Sequence, residues 1–322
     1  MSETTVLVGT ETFGVPNPEP RDILEDYGIE LRLNPFNRRL TPADYDECLD
    51  GVSYVIAGLE PYNTEIFRRY PQIKVLSRIG IGVDSIDLAA AETHGVTVYN
   101  TPAAPSLSVA EQTIAFIIAL SRGLFQMNGD FHKGLWQPFM GREVSSLTVG
   151  LLGFGRIGGM VAERLMPFGC RLIGHDPCWD NDKASAFSVK NVPLATVIEE
   201  ADILSIHIPL GPDTHHFVNR QLMQKMKTGA YLINTARGGI VDDEALIDLL
   251  RSGRIAGAAL DVFEDEPNTS LYEGVPNLIA IPHAGSNSAE ARYRMEMGAV
   301  QNLIAYIEAD KTGQTTPPGL EA

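Results

Sequence analysis

The chain has 322 residues, more than one hydrophobic core normally supports, so its length predicts two domains of about 100–200 residues each. Hydrophobic residues make up 44% and charged residues 20%, a composition typical of a globular protein. A net charge of -16 repels phosphate backbones and anionic lipids. We therefore expect no nucleic-acid partner and no membrane partner, and an anionic substrate would need a locally basic pocket.

Three cysteines, Cys48, Cys170 and Cys178, are too few and too irregularly spaced for a disulfide framework or a zinc site. They predict reduced thiols and no bound metal. The amino terminus lacks the basic start and apolar run of a signal peptide, and no stretch of about 18 apolar residues occurs. The expected location is the cytoplasm.

Short runs rich in valine, isoleucine and leucine alternate with segments of helical period, which is typical of βαβ units and predicts an α/β fold with parallel sheets. In the first hundred residues the predicted strands are 6–9, 29–33, 54–57, 74–77 and 96–99. Between the second and third of these, the sequence Thr41-Pro42-Ala43-Asp44 predicts a capped helix start, because threonine accepts from free amides and proline fits the first turn.

A second and more regular set of strands is predicted at 147–152, 171–175, 203–208, 230–235, 256–262 and 278–281. Six strands with intervening helices match a complete doubly wound sheet. The preceding segment 108–121 is apolar around much of its helical circumference, so we expect a buried helix. An amphipathic helix over 289–308 could continue this domain or fold back across the first, and its period leaves both open. Residues 313–322 are predicted to be frayed.

The strand at 147–152 leads directly into Gly153, Gly155 and Gly158, spaced G-x-G-x-x-G before a helix that extends to about residue 168. The first glycine allows a tight turn, the second lets backbone approach a pyrophosphate, and the third lets helix and strand pack closely. Such a triplet also occurs in turns for steric reasons alone. Here the next strand ends at Asp176, where a carboxylate can accept from both ribose hydroxyls and repels a 2′-phosphate. The sequence therefore predicts a site for NAD rather than NADP.

Three polar residues follow later strands, whose carboxyl ends line the ligand crevice in open α/β sheets. Taken singly, Arg237 could be a surface arginine, Glu266 part of an exposed acidic loop, and His283 a structural histidine. Together they supply a clamp for a carboxylate, a proton donor for a carbonyl oxygen, and a carboxylate that keeps the donor charged. This combination is what hydride reduction of a 2-oxo acid requires.

These motifs resemble those of the D-isomer-specific 2-hydroxyacid dehydrogenase family. The resemblance rests on G-F-G-R-I-G at 153–158, N-T-A-R-G-G at 234–239, D-V-F-E-D-E-P at 261–267 and P-H-A-G at 282–285, and it extends to 77–84, 108–111 and 207–214. It implies an NAD-dependent enzyme that transfers a hydride between nicotinamide and a D-2-hydroxy acid or 2-oxo acid. Its catalytic residues would be Arg237, Glu266 and His283.

The resemblance also implies further contacts. Besides the three glycines and Asp176, the cofactor would be bound by Arg156, Ile157, His207, Pro209, Thr214, Thr235, Ala236, Asp261 and Gly285. Of these, Asp261 would meet the nicotinamide amide, while Pro209 and Thr214 would border the adenosine half. Backbone amides around Ile79 and Gly80 would hold the substrate carboxylate, with Arg78 nearby.

The family architecture consists of two doubly wound parallel-sheet domains with a cleft between them. Residues 1–100 and 290–322 would form a flavodoxin-like substrate-binding domain around an inserted Rossmann NAD domain at 101–289. Closure of the cleft would exclude water from the hydride path. Family members are typically homodimers joined through the cofactor domain, with which the apolar 108–121 helix is compatible.

Within the family, segments 34–41 and 74–84 favour the 3-phosphoglycerate dehydrogenase-like members. Arg38, Arg39 and Arg78 could bind the substrate phosphate, or they could be ordinary surface charge. We expect no carboxyl-terminal regulatory domain and therefore no feedback control by serine. The competing activity is glyoxylate or hydroxypyruvate reduction. A non-enzymatic NAD-sensing co-repressor is the alternative from another class, and the lack of disordered regulatory tails argues against it.

Overall fold

The computed structural model describes residues 4–313 and 320. Its strands are β1 Thr4–Val8, β2 Ile29–Leu33, β3 Tyr54–Ala57, β4 Val75–Arg78, β5 Thr97–Tyr99, β6 Thr148–Leu152, β7 Arg171–His175, β8 Val189–Asn191, β9 Ile203–Ile206, β10 Tyr231–Asn234, β11 Gly257–Leu260 and β12 Leu278–Ala280. Its α-helices are α1 Glu19–Asp26, α2 Tyr45–Cys48, α3 Thr64–Arg69, α4 Leu88–Thr93, α5 Ser106–Arg122, α6 Leu124–His132, α7 Arg156–Leu165, α8 Asn181–Ala186, α9 Leu194–Glu200, α10 Arg220–Met223, α11 Asp243–Arg251 and α12 Ala289–Thr312.

The chain divides into two compact units, one formed by Ser106–Ser286 and the other by the described residues before and after it. The outer unit contains a parallel sheet with the strand order β2-β1-β3-β4-β5. Helix α12 packs on this sheet, with Met295, Ala299 and Leu303 buried against β1, β3 and β4. The structure thus answers the question that helical period left open. A substrate-binding role for this unit remains a prediction.

The inner unit contains a parallel sheet with the strand order β12-β11-β10-β9-β6-β7-β8. The prediction of six strands was one short. The missed strand, β8, has the three-residue sequence V-K-N with two exposed positions, so it lacks the apolar run that identified the others. The strand order reverses between β6 and β9, and ligands of doubly wound sheets bind at the carboxyl ends beside such a reversal.

Helix α5 belongs to the core of the inner unit, as its apolar circumference predicted. Phe116, Ile117 and Leu120 are buried together with side chains of α7. The following helix, α6, has no buried residue. Within residues 4–313 and 320, no single helix meets the length and hydropathy criteria for a membrane span. Helices α5 and α6 pass them only together, across a bend of 66°.

The helix start predicted at Thr41 is present, and the side chain of Asp44 bonds the backbone of Thr41. Thr41 donates its amide to Asp44 Oδ2 at 2.8 Å, and the predicted helix start is a 3₁₀ turn, Pro42–Asp44, that continues into α2. Most of the tail predicted to fray, 314–319 and 321–322, lies outside the described residues. Leu320 donates its amide to the Val98 carbonyl at 3.0 Å and packs on the core of the outer unit.

Candidate active site and dinucleotide site

The glycine-rich turn between β6 and α7 has the geometry that its spacing predicted. Gly153 has φ +98°, and a Cβ there would lie 2.6 Å from the carbonyl oxygen of His207. A Cβ on Gly158 would overlap the carbonyl oxygen of Gly153. By contrast, a Cβ on Gly155 would meet no atom within 4 Å. The turn therefore needs Gly153 and Gly158 for its own packing, whereas Gly155 keeps open the space that a pyrophosphate can approach.

Asp176, at the end of β7, bonds directly to this turn. Its Oδ2 accepts the Phe154 amide at 2.6 Å, and its Oδ1 accepts the Cys178 amide at 2.7 Å. Lys183 adds a second link, since its Nζ donates to the carbonyl oxygens of Phe154 and Gly155 at 3.2 and 3.3 Å. Each carboxylate oxygen can accept more than one hydrogen bond, so contact with ribose hydroxyls remains compatible with this arrangement.

The segment after β9 closes the other side of the turn. His207 shares a hydrogen bond of 2.9 Å between its Nε2 and Ser205 Oγ, and desolvation lowers the pKa of His207 to about 4. Its imidazole is therefore neutral near pH 7. Thr214 Oγ1 accepts the Gly211 amide and donates to the Pro209 carbonyl, both at 2.7 Å, which shapes the loop that was predicted to border adenosine.

Arg237 follows β10 in a turn that Asn234 organises. The Asn234 side chain donates to the Arg237 carbonyl at 2.8 Å and accepts the Ala236 amide at 3.0 Å. Arg237 Nη1 donates to the Ala236 carbonyl at 2.7 Å. A Cβ on the next residue, Gly238, would overlap the Phe263 carbonyl oxygen. The turn carrying Arg237 therefore lies directly against the turn that follows β11.

Glu266 lies in that second turn and contacts His283. Its Oε1 accepts the Phe263 amide at 3.0 Å, and its Oε2 lies 2.9 Å from His283 Nδ1. Both side chains are partly exposed, at 25% for Glu266 and 31% for His283. An ionised carboxylate accepts only, so Nδ1 carries the proton in this pair and Nε2 is the nitrogen left to act on a substrate. His283 has φ +47°, an unusual backbone conformation for a residue with a side chain.

Asp261 holds the backbone on the far side of His283. Its carboxylate accepts the Ala284 amide at 2.7 Å and the Gly285 amide at 3.1 and 2.9 Å. A Cβ on Gly285 would lie 2.6 Å from Asp261 Oδ2, so this position requires glycine. Burial raises the pKa of Asp261, and the two amides act in the opposite direction. Its predicted contact with the nicotinamide amide remains a prediction.

The remaining predicted cofactor residues also lie at this edge of the sheet. Thr235 is buried, with its Oγ1 3.0 Å from that of Thr113 on α5. Arg156 and Ile157 begin α7, directly after the glycine turn. The structure therefore brings all the predicted cofactor and catalytic residues of the inner unit to the carboxyl ends of neighbouring parallel strands, but their contacts with a ligand remain predictions.

The three predicted substrate residues lie at the end of β4 in the outer unit. Arg78 is buried and donates from Nη1 to the Ile79 carbonyl. The Ile79 amide donates to the Ala57 carbonyl at 2.9 Å, and the Gly80 amide donates to Thr101 Oγ1 at 2.8 Å. These two amides thus already have acceptors within the unit. Their predicted role as ligands of a substrate carboxylate remains a prediction.

Sequence reasoning missed the residues that organise the site without carrying its chemistry. Asn234 shapes the Arg237 turn, and Thr101 bonds Gly80 in both directions, since it also donates its own amide to the Gly80 carbonyl at 2.9 Å. Asn234 stands inside the N-T-A-R-G-G motif, so its place beside Arg237 was a usable signal. Thr101 gave none, because its partner lies 21 residues earlier in the chain.

The inner sheet and its glycine turn fit a dinucleotide, since Gly155 is the one member of the glycine triplet whose Cβ would be unobstructed, and it stands at the phosphate position. At the ends of β10, β11 and β12 lie the Arg237 turn and the Glu266–His283 pair, whose predicted roles are a carboxylate clamp and a proton donor. This fold and this site define a dinucleotide-dependent oxidoreductase of the α/β class.

A comparison with known protein families supports this assignment. Residues 114–285 match the model described as "D-isomer specific 2-hydroxyacid dehydrogenase, NAD binding domain". The chain belongs to this family, and its cofactor is NAD.

Individual relatives cover most of the chain. It is 36% identical over 256 residues to the hydroxypyruvate reductase of Thermotoga maritima, a match that spans 78% of this chain and 83% of the relative. It is 36% identical over 283 residues to human D-3-phosphoglycerate dehydrogenase, spanning 86% of this chain but only 52% of the relative. The chain thus spans about half the length of that enzyme.

Among solved structures, D-lactate dehydrogenase of Aquifex aeolicus, determined with NAD and lactic acid, superposes with a TM-score of 0.84 at 26% identity. The match covers 98% of this chain and 100% of that one.

Proposed function

We propose that this enzyme reduces a small, unphosphorylated 2-oxo acid, of the size of hydroxypyruvate or glyoxylate, to the D-2-hydroxy acid. The observation that carries the reaction type is the 2.9 Å contact between His283 Nδ1 and Glu266. The carboxylate holds a proton on Nδ1 and stabilises the charged ring, so that Nε2–H can protonate the substrate's carbonyl oxygen. Arg237 would hold the substrate carboxylate. NAD, when bound in its reduced form, supplies the hydride.

The state of Arg38 supports an unphosphorylated substrate. Its guanidinium makes two hydrogen bonds of 2.7 Å to the two oxygens of Asp44, and this arrangement lowers the pKa of Asp44. Together with a bond from Nη1 to the Arg39 carbonyl, three of its five N–H groups already have acceptors, and the Asp44 carboxylate would repel a phosphate bound beside it. The Thermotoga hydroxypyruvate reductase, matched over most of its length, also supports a small substrate.

Phosphohydroxypyruvate is the second candidate. The human D-3-phosphoglycerate dehydrogenase match favours it, and Arg39, beside Arg38, is exposed. A steady-state comparison of hydroxypyruvate, glyoxylate and phosphohydroxypyruvate with NADH tests the choice. We expect the highest kcat/KM for one of the two unphosphorylated acids. A higher value for phosphohydroxypyruvate would overturn the assignment and reinstate a phosphate pocket.

The variant His283→Ala tests the reaction type itself. Loss of the proton donor should lower kcat by about 10²–10⁴-fold while NADH binding is retained. His94→Ala, a change at an exposed histidine directly after α4 in the outer unit, serves as the matched control. Retained turnover in His283→Ala would remove the proposed donor. If the unaltered protein reduced none of the three acids but still bound NADH, the result would favour an NAD-sensing protein instead.

We also propose that the protein is a homodimer joined through its inner unit. Helix α6 and the segment after it expose an unusual number of large apolar side chains, including Phe131 at 62%, Trp136 at 86% and Met140 at 94%. Apolar patches of this kind mark interaction surfaces. Light scattering should give twice the chain mass. The variant Trp136→Ser with Phe131→Ser should shift the protein to monomer, whereas Leu271→Ser should not. A monomeric parent protein would refute the proposal.

The cytoplasm remains the proposed compartment. All three cysteines are free, which is what a reducing compartment favours. Fractionation of cells that express the protein, with immunodetection, tests this directly, and recovery outside the cytoplasm would contradict it.

A further inference from the structure

Two histidines and a glutamate outside the catalytic set converge on the inner unit. His215 Nε2 lies 3.1 Å from Glu264 Oε1, and His216 Nε2 lies 2.8 Å from Glu264 Oε2. One oxygen from Glu264 and one ring nitrogen from each histidine all lie within 4.8 Å of one another. The two imidazoles stack with a centroid separation of 4.1 Å. The proposed hydride transfer uses none of these three side chains.

The backbone amides of the three residues each make a separate hydrogen bond, and that of His215 donates to the Gly211 carbonyl at 3.0 Å. The His216 amide donates to the Gly239 carbonyl at 2.7 Å, so the loop after β9 is attached to the turn after β10. The Glu264 amide donates to Asp243 Oδ2 at 3.3 Å, and the Tyr272 hydroxyl donates to the same oxygen at 2.5 Å. The side chains themselves remain accessible, at 53% for His215, 38% for His216 and 41% for Glu264. Fixed backbones with exposed ligand atoms leave the imidazoles able to turn towards a common ion.

The surrounding charge favours a cation. Asp242 and Asp243 lie close enough to His216 to raise its pKa, although the hydrogen bond with Glu264 is the larger cause. Two imidazole nitrogens with one carboxylate form a donor set that Zn²⁺ uses at about 2.0–2.2 Å, with a further position open to water. Hard ions such as Mg²⁺ prefer all-oxygen sites.

We propose that His215, His216 and Glu264 form a binding site for a divalent transition-metal ion of the Zn²⁺ class. The sequence-based prediction of no bound metal rested on the cysteines, whereas this site contains no cysteine and its ligands come from loops 48 residues apart in sequence. The ion would replace the proton that each imidazole now shares with Glu264 and would join the loop after β9 to the turn after β11. This site is independent of the proposed oxidoreductase activity.

Calorimetric titration of the nucleotide-free, full-length protein with ZnCl₂, near pH 8, tests the proposal. The exposed thiol of Cys178 is first replaced by serine so that it contributes no ligand. One equivalent of Zn²⁺ should bind. Glu264→Gln should weaken this binding by more than about 10-fold. Even a residue that only hydrogen-bonds to a metal ligand typically contributes that much to the affinity. The pair His215→Gln and His216→Gln should abolish it, and His132→Gln should leave it unchanged.

Binding that survives the double substitution, or no binding over the range in which Zn²⁺ stays dissolved, would overturn the proposal. A second measurement keeps His215, His216 and Glu264 intact, so its outcome does not depend on whether the substituted variants fold. Co²⁺ added to the Cys178→Ser protein should give weak visible absorption bands from nitrogen and oxygen ligands, and Zn²⁺ should displace it. Absence of those bands would count equally against the site.

Discussion

Glu266 accepts the Phe263 amide with one carboxylate oxygen and the Nδ1 proton of His283 with the other, at 3.0 and 2.9 Å. The same side chain therefore fixes its own turn and orients the proposed proton donor. Because the Phe263 carbonyl lies against Gly238, the arginine turn also contacts this assembly. Three separate strand ends thus depend on one short segment of chain.

The variant Glu266→Gln separates charge from shape. Glutamine can still accept the Phe263 amide through its oxygen, but it no longer supplies a negative charge to His283. We expect kcat for 2-oxo acid reduction to fall by about 10-fold or more. Steady-state kinetics measure this loss, with the exposed Glu273→Gln as control, and an unchanged kcat would show that the charge does not act on the donor.

Two substitutions in the glycine turn should separate the loss of NADH affinity from the loss of protein stability. In Gly155→Ala the new methyl meets no protein atom, so the melting temperature should change little while NADH affinity falls, because the methyl occupies the phosphate approach. In Gly158→Ala the methyl overlaps the Gly153 carbonyl, so stability itself should fall. Thermal melts combined with NADH titration distinguish the two. Equal losses of stability in both variants would contradict this division.

Gly238→Ala should destabilise the inner unit by about 1–3 kcal/mol, since the added methyl would overlap the backbone of Phe263, which cannot rotate away. It should also lower kcat, because it displaces the turn that carries Arg237. Gly211→Ala is the matched stability control, as its nearest contact would be an ordinary 3.9 Å from Thr214 Oγ1. Urea denaturation measures both free energies of unfolding. A stable, fully active Gly238→Ala protein would contradict the close contact.

His207 should make the free energy of unfolding depend on pH. Its pKa is lowered from 6.5 to about 4 in the folded protein by desolvation. Between these values the unfolded chain binds a proton that the folded one refuses, so the free energy of unfolding falls as the pH drops through this window. The full effect is at most about 3 kcal/mol. Urea denaturation at several pH values should show a shallower decline for His207→Asn, and parallel curves for the two proteins would argue against it.

Local sequence signals predicted this protein well where a residue acts on its immediate neighbours. The strands 29–33, 54–57 and 171–175 have the predicted bounds, because apolar runs between turns determine them. Gly153 and Gly158 are required where their spacing placed them, since the turn they allow is completed within six residues. The edge strand β8 was missed because a short, half-exposed strand depends on its neighbour β7 rather than on its own composition.

The sequence by itself predicted the α/β class, the order of every strand except β8, the glycine turn and the residues to which the proposed chemistry is assigned. These depend on periodicity and on contacts within a few positions. Only the tertiary structure decided that α12 packs on the outer sheet, that Glu266 contacts His283 across 17 residues, that Asp44 occupies the fork of Arg38, and that His215 and His216 meet Glu264. Each of these depends on which strand ends lie side by side, which is set by how whole sheets assemble around their cores.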